Sequence, residues 1–204
     1  MQKIIIVNYG LGNPASIRNM IKKAGASAEI TDDIALIEKA EKLILPGVGH
    51  FGKGMELLKQ KNLLDILNKK VIINKTPILG ICLGMQLMTN KSEEAEHDGL
   101  GWIDADTIKF RPKRETSKVP NMGWLDVQPQ LQHKLFDKLE KDCRFYFVHS
   151  YYVVPKSIHN ILATSVYEDE YACAIIKDNI VGVQFHPEKS HKFGLQMMKN
   201  FIKI

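Results

Sequence analysis

The sequence has little of what marks a secreted, metal-bound or membrane-embedded protein. Cysteine is scarce: Cys82, Cys143 and Cys173 are an odd number, and no two form a CxxC pair. That speaks against a disulfide framework and a zinc ribbon and fits a reducing compartment. Long apolar runs are missing as well. Ile4–Val7 is too short for the core of a signal peptide, and no stretch could span a bilayer, so the expectation is a cytoplasmic chain with no membrane partner. Repeats, low-complexity tracts and an interdomain linker are absent. Charge of one sign is not in large excess: the net is +5 from 28 basic and 23 acidic residues. The one basic cluster, Lys109, Arg111, Lys113, Arg114 and Lys118, has only Phe110 interleaved and reads as a solvated loop or interface rim. No nucleic-acid partner is expected.

What is present is an ordinary globular composition, with 45% hydrophobic and 25% charged residues over 204 positions. A chain of this length is expected to form one domain, 1–204, burying about 70% of its unfolded surface. The first half alternates strand and helix. Lys3–Asn8 reads as a strand buried on both faces. It is broken by Gly10–Pro14 and followed by a helix over Ala15–Ala24 that Gly25 ends. A strand at Ala28–Ile30, a helix at Asp33–Ala40 and a strand at Lys42–Leu45 come next. A long helix is expected from about Lys53 to Lys70, and then the apolar strand Ile78–Ile81. This alternation predicts an α/β fold with a parallel sheet, right-handed crossovers and helices on both sides. The second half is β-rich. Strands are expected at Thr107–Phe110, Leu125–Val127, Arg144–His149, Tyr151–Val154, Ile161–Val166, Ala172–Lys177 and Ile180–Phe185, with a hairpin turn at Asp178–Asn179. A helix over Lys192–Phe201 closes the chain.

Three motifs carry chemistry. Cys82 has glycines two residues before and two after it, between a buried strand and the helix-forming Met85–Met88. That is the spacing of a nucleophile elbow. Such a turn forces its central residue into strained angles, crowds its flanks and sets the sulfur at a helix N-terminus, where thiolate is favoured over thiol. A lone intracellular cysteine is more often a core residue, and the elbow spacing is what singles this one out. At the end of an apolar strand, His186-Pro187-Glu188 places a carboxylate two residues from an imidazole. In extended chain the two point to the same side, so the carboxylate can fix the tautomer. A zinc site through His186 and His191 lacks a third ligand at sensible spacing. Pro46-Gly47-Val48-Gly49 also lies at a strand end, where glycines let backbone N–H groups approach a substrate. A competing motif, Gly10-Leu11-Gly12-Asn13-Pro14-Ala15 with Glu29 on the next strand, matches a dinucleotide-binding pattern. Pro14 speaks against it by removing an N–H that would hold pyrophosphate. Cys82, the His186–Glu188 pair and the Pro46–Gly49 loop all fall at strand ends on one predicted edge of the sheet.

With these motifs in place the chain resembles the class I, triad-type glutamine amidotransferases. Within them it is most similar to the glutaminase subunits of imidazole glycerol phosphate synthases. The resemblance runs through Asn8-Tyr9-Gly10, Gly12-Asn13, Leu45–Gly49, Gly80–Gln86, Ser92–Glu94, Gly99–Gly101, Val119–Trp124, Phe147–Tyr151 and Gln184–Ser190. It implies a flavodoxin-like, mostly parallel mixed sheet flanked by helices and no metal or organic cofactor. Glutamine is the implied substrate, and the implied partner is a cyclase (synthase) subunit with a (β/α)8 barrel that takes up the ammonia. It also implies a catalytic triad of Cys82, His186 and Glu188, and oxyanion donors from Leu83 and the Gly47-Val48-Gly49 loop. Glutamine would be held by Gln86, Glu94 and the backbone at Gly47, Val48, His149 and Ser150. Asn13, Tyr146 and Lys189 would lie at the ammonia exit, and Trp124 and Asn121 in the partner-facing stretch. In that stretch Asn121 stands where the family commonly has His, and Leu125 where it has Asn. The departure leaves open a paralogous synthase, for example one building an amidino group on a surface sugar.

Overall fold

The computed structural model describes residues 3–114 and 117–204. Strand β1 (Ile4–Val7) passes through helix α1 (Pro14–Lys23) to β2 (Ala28–Thr31), and α2 (Ile34–Glu38) leads to β3 (Lys42–Leu45). Helices α3 (Phe51–Gln60) and α4 (Leu64–Asn68) and a π-helical turn (Lys69–Ile73) return the chain to β4 (Ile78–Ile81), which runs into α5 (Leu83–Leu87). The second half contributes β5 (Lys91–Ser92), β6 (Ala95–Asp98), β7 (Ala105–Lys109), β8 (Asn121–Asp126), β9 (Gln128–Pro129) and β10 (Arg144–His149). It continues with β11 (Tyr151–Pro155), β12 (Ile161–Tyr167), β13 (Asp169–Lys177) and β14 (Ile180–Val183), and ends in α6 (His191–Lys203).

The main sheet runs β2-β1-β3-β4-β14-β13-β11-β7-β5-β6. Its β2-β1-β3-β4-β14 portion is parallel. From β13 outward the ladders are antiparallel except for β5 on β7. β12 pairs with both β13 and β9, while β8 and β10 form a separate antiparallel ribbon. The strand period of two sorts β1 into two cores. Ile4 and Ile6 join one cluster with Ile17 and Ile21 of α1, and Ile5 and Val7 join another with Leu58 of α3 and Leu67 of α4. Burying each such side chain contributes about 1.5–3 kcal/mol, so covering both faces is what fixes the register. Among the described residues no helix is long and apolar enough to cross a membrane.

The long helix expected over Lys53–Lys70 is two helices. Asn62 adopts φ 55 between them, a left-handed conformation that asparagine tolerates better than most residues. The bend lets Leu58, Leu63 and Leu67 all reach full burial. β8 starts four residues earlier than expected, and β14 ends at Val183. Gln184, Phe185 and His186 therefore leave the sheet at the edge where β1, β3 and β4 also end. The turn expected at Asp178–Asn179 joins β13 to β14, with Asp178 at φ 52.

Candidate active site

Cys82 sits at φ 54 and ψ −108, just ahead of α5, with 6% of its surface exposed. The flanking glycines explain how a non-glycine residue holds this conformation. A Cβ on Gly84 would overlap the carbonyl oxygen of Leu45, and one on Gly80 would lie 2.8 Å from the carbonyl oxygen of Gly84. The turn is closed from the sheet side by the Cys82 N–H, which donates to the Val183 carbonyl at 2.8 Å.

His186 and Glu188 follow β14 on the same edge. Nδ1 of His186 and Oε1 of Glu188 are 2.8 Å apart, and both side chains are almost wholly buried. Nε2 of His186 and Oε2 of Glu188 are buried without hydrogen-bond partners among the described residues. Burial pushes the imidazolium down, but the neighbouring Cys82 and Glu188 outweigh it and raise His186 to about 10. Ser190 holds the segment in place, its hydroxyl accepting from Tyr146 N–H at 3.0 Å and donating to His186 O at 2.6 Å.

The Pro46–Gly49 loop lies over the elbow. Leu83 N–H donates to Gly47 O at 3.3 Å, and the Tyr9 hydroxyl donates to Pro46 O at 2.6 Å. A Cβ on Gly47 would stand 2.5 Å from that hydroxyl and 2.8 Å from Leu83 Cβ, so only glycine fits. Val48 is 42% exposed, and Gly49 takes φ 117 with nothing crowding it. The loop is thus pinned at its start and free beyond. The same loop accounts for the Gly10-x-Gly12 motif, because Gly12 (φ 93) packs with its Cβ position 3.1 Å from Gly47 N. The glycine pattern serves loop packing at that point. Glu29 is exposed on β2.

Beside Cys82 a pocket of about 290 Å³ is lined by Val48, Gly49, Leu83, Gln86, Glu94, His149 and Ser150 among others. Gln86 Nε2 donates to Tyr151 O and to Gln184 Oε1, both at 3.1 Å. Glu94 Oε2 accepts from the Phe51 N–H at the start of α3 at 2.7 Å. His149 is buried, with Nδ1 2.7 Å from Tyr151 O and Nε2 3.3 Å from both Asn121 Nδ2 and the Tyr171 hydroxyl. A carbonyl can only accept, so the proton is on Nδ1 and Nε2 accepts. Burial lowers this imidazole to about 4.

The residues expected toward a partner fall into two groups. Trp124 and Met122 are exposed on β8. Trp124 stacks on His191 with ring centroids 5.4 Å apart and meets Tyr146 edge-on, while the Lys189 ammonium lies 5.6 Å from the Tyr146 ring centroid. Asn13 is exposed and caps α1, accepting from Ser16 N–H at 3.2 Å. Asn121 belongs elsewhere: it is 1% exposed and faces His149. Leu125 is half-buried and packs on the core. Both departures from the family pattern therefore point inward, away from the surface around Trp124. Of the basic cluster, Arg111 pairs with Glu93 at 3.0 Å and Lys113 with Asp169 at 2.6 Å.

Two residues at the site were not singled out from sequence. The buried hydroxyl of Tyr9 anchors the loop. Gln184 was read as lying inside the strand expected over Ile180–Phe185. A polar residue in that run, two positions before His186, is a signal for a side chain aimed at the same edge.

Comparisons with known proteins place the chain in a family. The family model described as glutamine amidotransferase class-I matches residues 5–204. The imidazole glycerol phosphate synthase subunit HisH 2 of Methanococcus maripaludis is 58% identical, covering 98% of both chains. HisH 2 of Pseudomonas aeruginosa is 49% identical, over 98% of this chain and 99% of that one. HisH 1 of M. maripaludis is 43% identical, over 98% and 99%. Among solved structures, PurLQS from Thermotoga maritima superimposes with a TM-score of 0.75 at 16% identity, covering 99% of this chain and 98% of that one. A glutamine amidotransferase of the same organism gives 0.64 at 17% identity, covering 99% and 81%.

Proposed function

This chain belongs to the class I glutamine amidotransferase family, and we propose that it is the glutaminase subunit of an imidazole glycerol phosphate synthase. It hydrolyses glutamine to glutamate and passes the ammonia to a cyclase subunit, which uses it in histidine biosynthesis. The observation that carries the reading is the convergence at one sheet edge of a strained Cys82, a buried His186–Glu188 pair at 2.8 Å and a pocket open to the sulfur. The inward placement of Asn121 and Leu125 removes the reason for keeping a paralogous synthase open, because neither alters the surface around Trp124.

The chemistry follows from the residues. Cys82 gives its proton to Nε2 of His186, where the raised imidazolium keeps it at neutral pH, and the thiolate attacks the side-chain carboxamide of glutamine. The resulting oxyanion takes the Leu83 N–H and an N–H from the Gly47–Gly49 loop, donors typically worth about 3 kcal/mol each. His186 returns its proton to the departing nitrogen, and the C–N bond breaks to give ammonia and a thioester. His186 then takes a proton from water, the hydroxide attacks, and glutamate leaves as the thiolate is regenerated. Glu188 keeps the ring oriented and balances its charge. Gln86, Glu94 and the backbone of His149 and Ser150 hold the substrate.

Free ammonia becomes ammonium in bulk water and loses its nucleophilicity, so it travels enclosed to the partner, in our reading a (β/α)8 barrel. Trp124, Tyr146, Lys189 and Asn13 form the face toward it. The test is to mix the chain with the imidazole glycerol phosphate cyclase subunit of its own organism and assay glutamine-dependent product formation. Formation of that product supports the reading. Activation only by another synthase would refute the pathway and leave the glutaminase chemistry intact.

A further inference from the structure

We propose that Gln184 is a further catalytic residue: its side-chain amide donates to the Cys82 sulfur and stabilises the thiolate during attack and departure. The inference rests on the reading of Cys82 as the nucleophile. Gln184 is fully buried, and its Nε2 lies 3.6 Å from Cys82 Sγ. The polarity of this contact is set by the network behind it. One terminal atom of Gln86 lies 3.1 Å from both the Tyr151 carbonyl oxygen and a terminal atom of Gln184. A carbonyl only accepts, so that atom of Gln86 is its NH2 group. The Gln184 atom facing it must then be the oxygen, which leaves the Gln184 NH2 group toward the sulfur. A chain of donors thus runs from the substrate-binding turn to the nucleophile.

The titratable groups that act on the sulfur are His186 and, beneath the loop, Tyr9. His186 has other atoms to serve in both halves of the cycle: it gives its proton to the leaving nitrogen in the first, and in the second it takes one from water before the C–S bond breaks with its electron pair passing to sulfur. Among the described residues its Nε2 makes no hydrogen bond, whereas the Gln184 amide donates to the sulfur. That amide does not titrate, so it is a donor in every protonation state of the ring. Its burial keeps water from replacing it.

The experiment uses the full chain with two substitutions. Gln184→Leu removes the donor at similar volume. Gln184→Glu keeps an acceptor toward Gln86 and puts an acceptor toward the sulfur, and it carries the test alone if the leucine variant does not fold. Alkylation of Cys82 by iodoacetamide at pH 7 is followed by mass spectrometry, and glutaminase turnover is measured in complex with the cyclase. Hydrogen bonds to charged groups set the expectation that alkylation and kcat both fall about ten- to hundredfold. KM is expected to stay within about threefold, as for an interaction made with the reacting atom rather than the bound substrate. Alkylation at the parent rate in a folded variant would overturn the proposal, as would a loss confined to KM. If the parent chain itself shows neither turnover nor Cys82 alkylation, the glutaminase reading fails and this inference falls with it.

Discussion

The backbone N–H of Leu83 donates to the carbonyl oxygen of Gly47 at 3.3 Å, so a protein oxygen occupies the donor that our reading assigns to the substrate oxyanion. In an amide, C=O and N–H point in opposite directions, and the Val48 N–H is therefore turned away from the elbow. Rotation of the Gly47–Val48 peptide would free one donor and supply the other. The pinning of Pro46 by Tyr9 and the open space at Gly49 confine this movement to a short span.

The first prediction is that the chain alone is a slow glutaminase. Losing one oxyanion donor costs on the order of a hundredfold or more in kcat, and both are misdirected here. Adding the cyclase subunit with its own ligand bound should raise glutamate release by at least that factor, by shifting the loop's population. Full-rate glutamate release by the purified single chain would rule this out.

The second concerns labelling. A glutamine analogue with an electrophilic side chain should modify Cys82 and neither other cysteine, as read by peptide mapping. Burial raises the Cys143 thiol to about 11 and pushes that of Cys173 well above its usual value, which keeps both unreactive at neutral pH. Cys82→Ala should abolish turnover and leave partner binding intact.

The third separates base from orienter. His186→Ala should lower kcat further than Glu188→Gln, and both should lose orders of magnitude. The amide of glutamine could still contact Nδ1 but would not balance the imidazolium charge. Near-normal kcat for Glu188→Gln would reduce Glu188 to a structural carboxylate.

The fourth is a stability effect. Burial lowers His149 from its usual 6.5 to about 4 in the folded chain. A depressed value favours the neutral form, so this contribution is present above pH 6.5 and is lost as pH falls toward 4. Its size is on the order of 3 kcal/mol across that window. Urea unfolding at pH 7, 5 and 4 should show a steeper acid loss for the parent than for His149→Gln. Parallel slopes would show that His149 does not drive it.

The parallel half of the fold was legible because β1, β3 and β4 are short apolar runs bounded by glycine and proline, and helices between such strands leave few topologies. The elbow and the His186–Glu188 pair were legible because their spacing is itself the geometry. Polarity hid the rest. The β5–β6 hairpin is built from Lys91, Ser92, Ala95, Glu96, His97 and Asp98, which show no apolar alternation, and its pairing is fixed by β7 from outside. Asn62 gave no sign that it would split a helix, since asparagine also occurs inside helices. The inward turn of Asn121 depends on His149 and Tyr171, brought to it only by tertiary folding.

The position of β14 has a consequence for how the protein is made. The strand that carries Cys82 is paired on one side by β14, with Ile81 opposite Val183. The sulfur's neighbours Gln184, His186 and Glu188 follow directly after that strand. A ribosome-bound chain halted before Ile180 has already made the cysteine, but it has neither the strand that closes the turn nor the groups that activate the thiol. In such a chain α1 to α4 have already been made while the elbow is still open on one side. The surroundings of Cys82 are therefore completed late in translation, when β14 and the residues after it have been made.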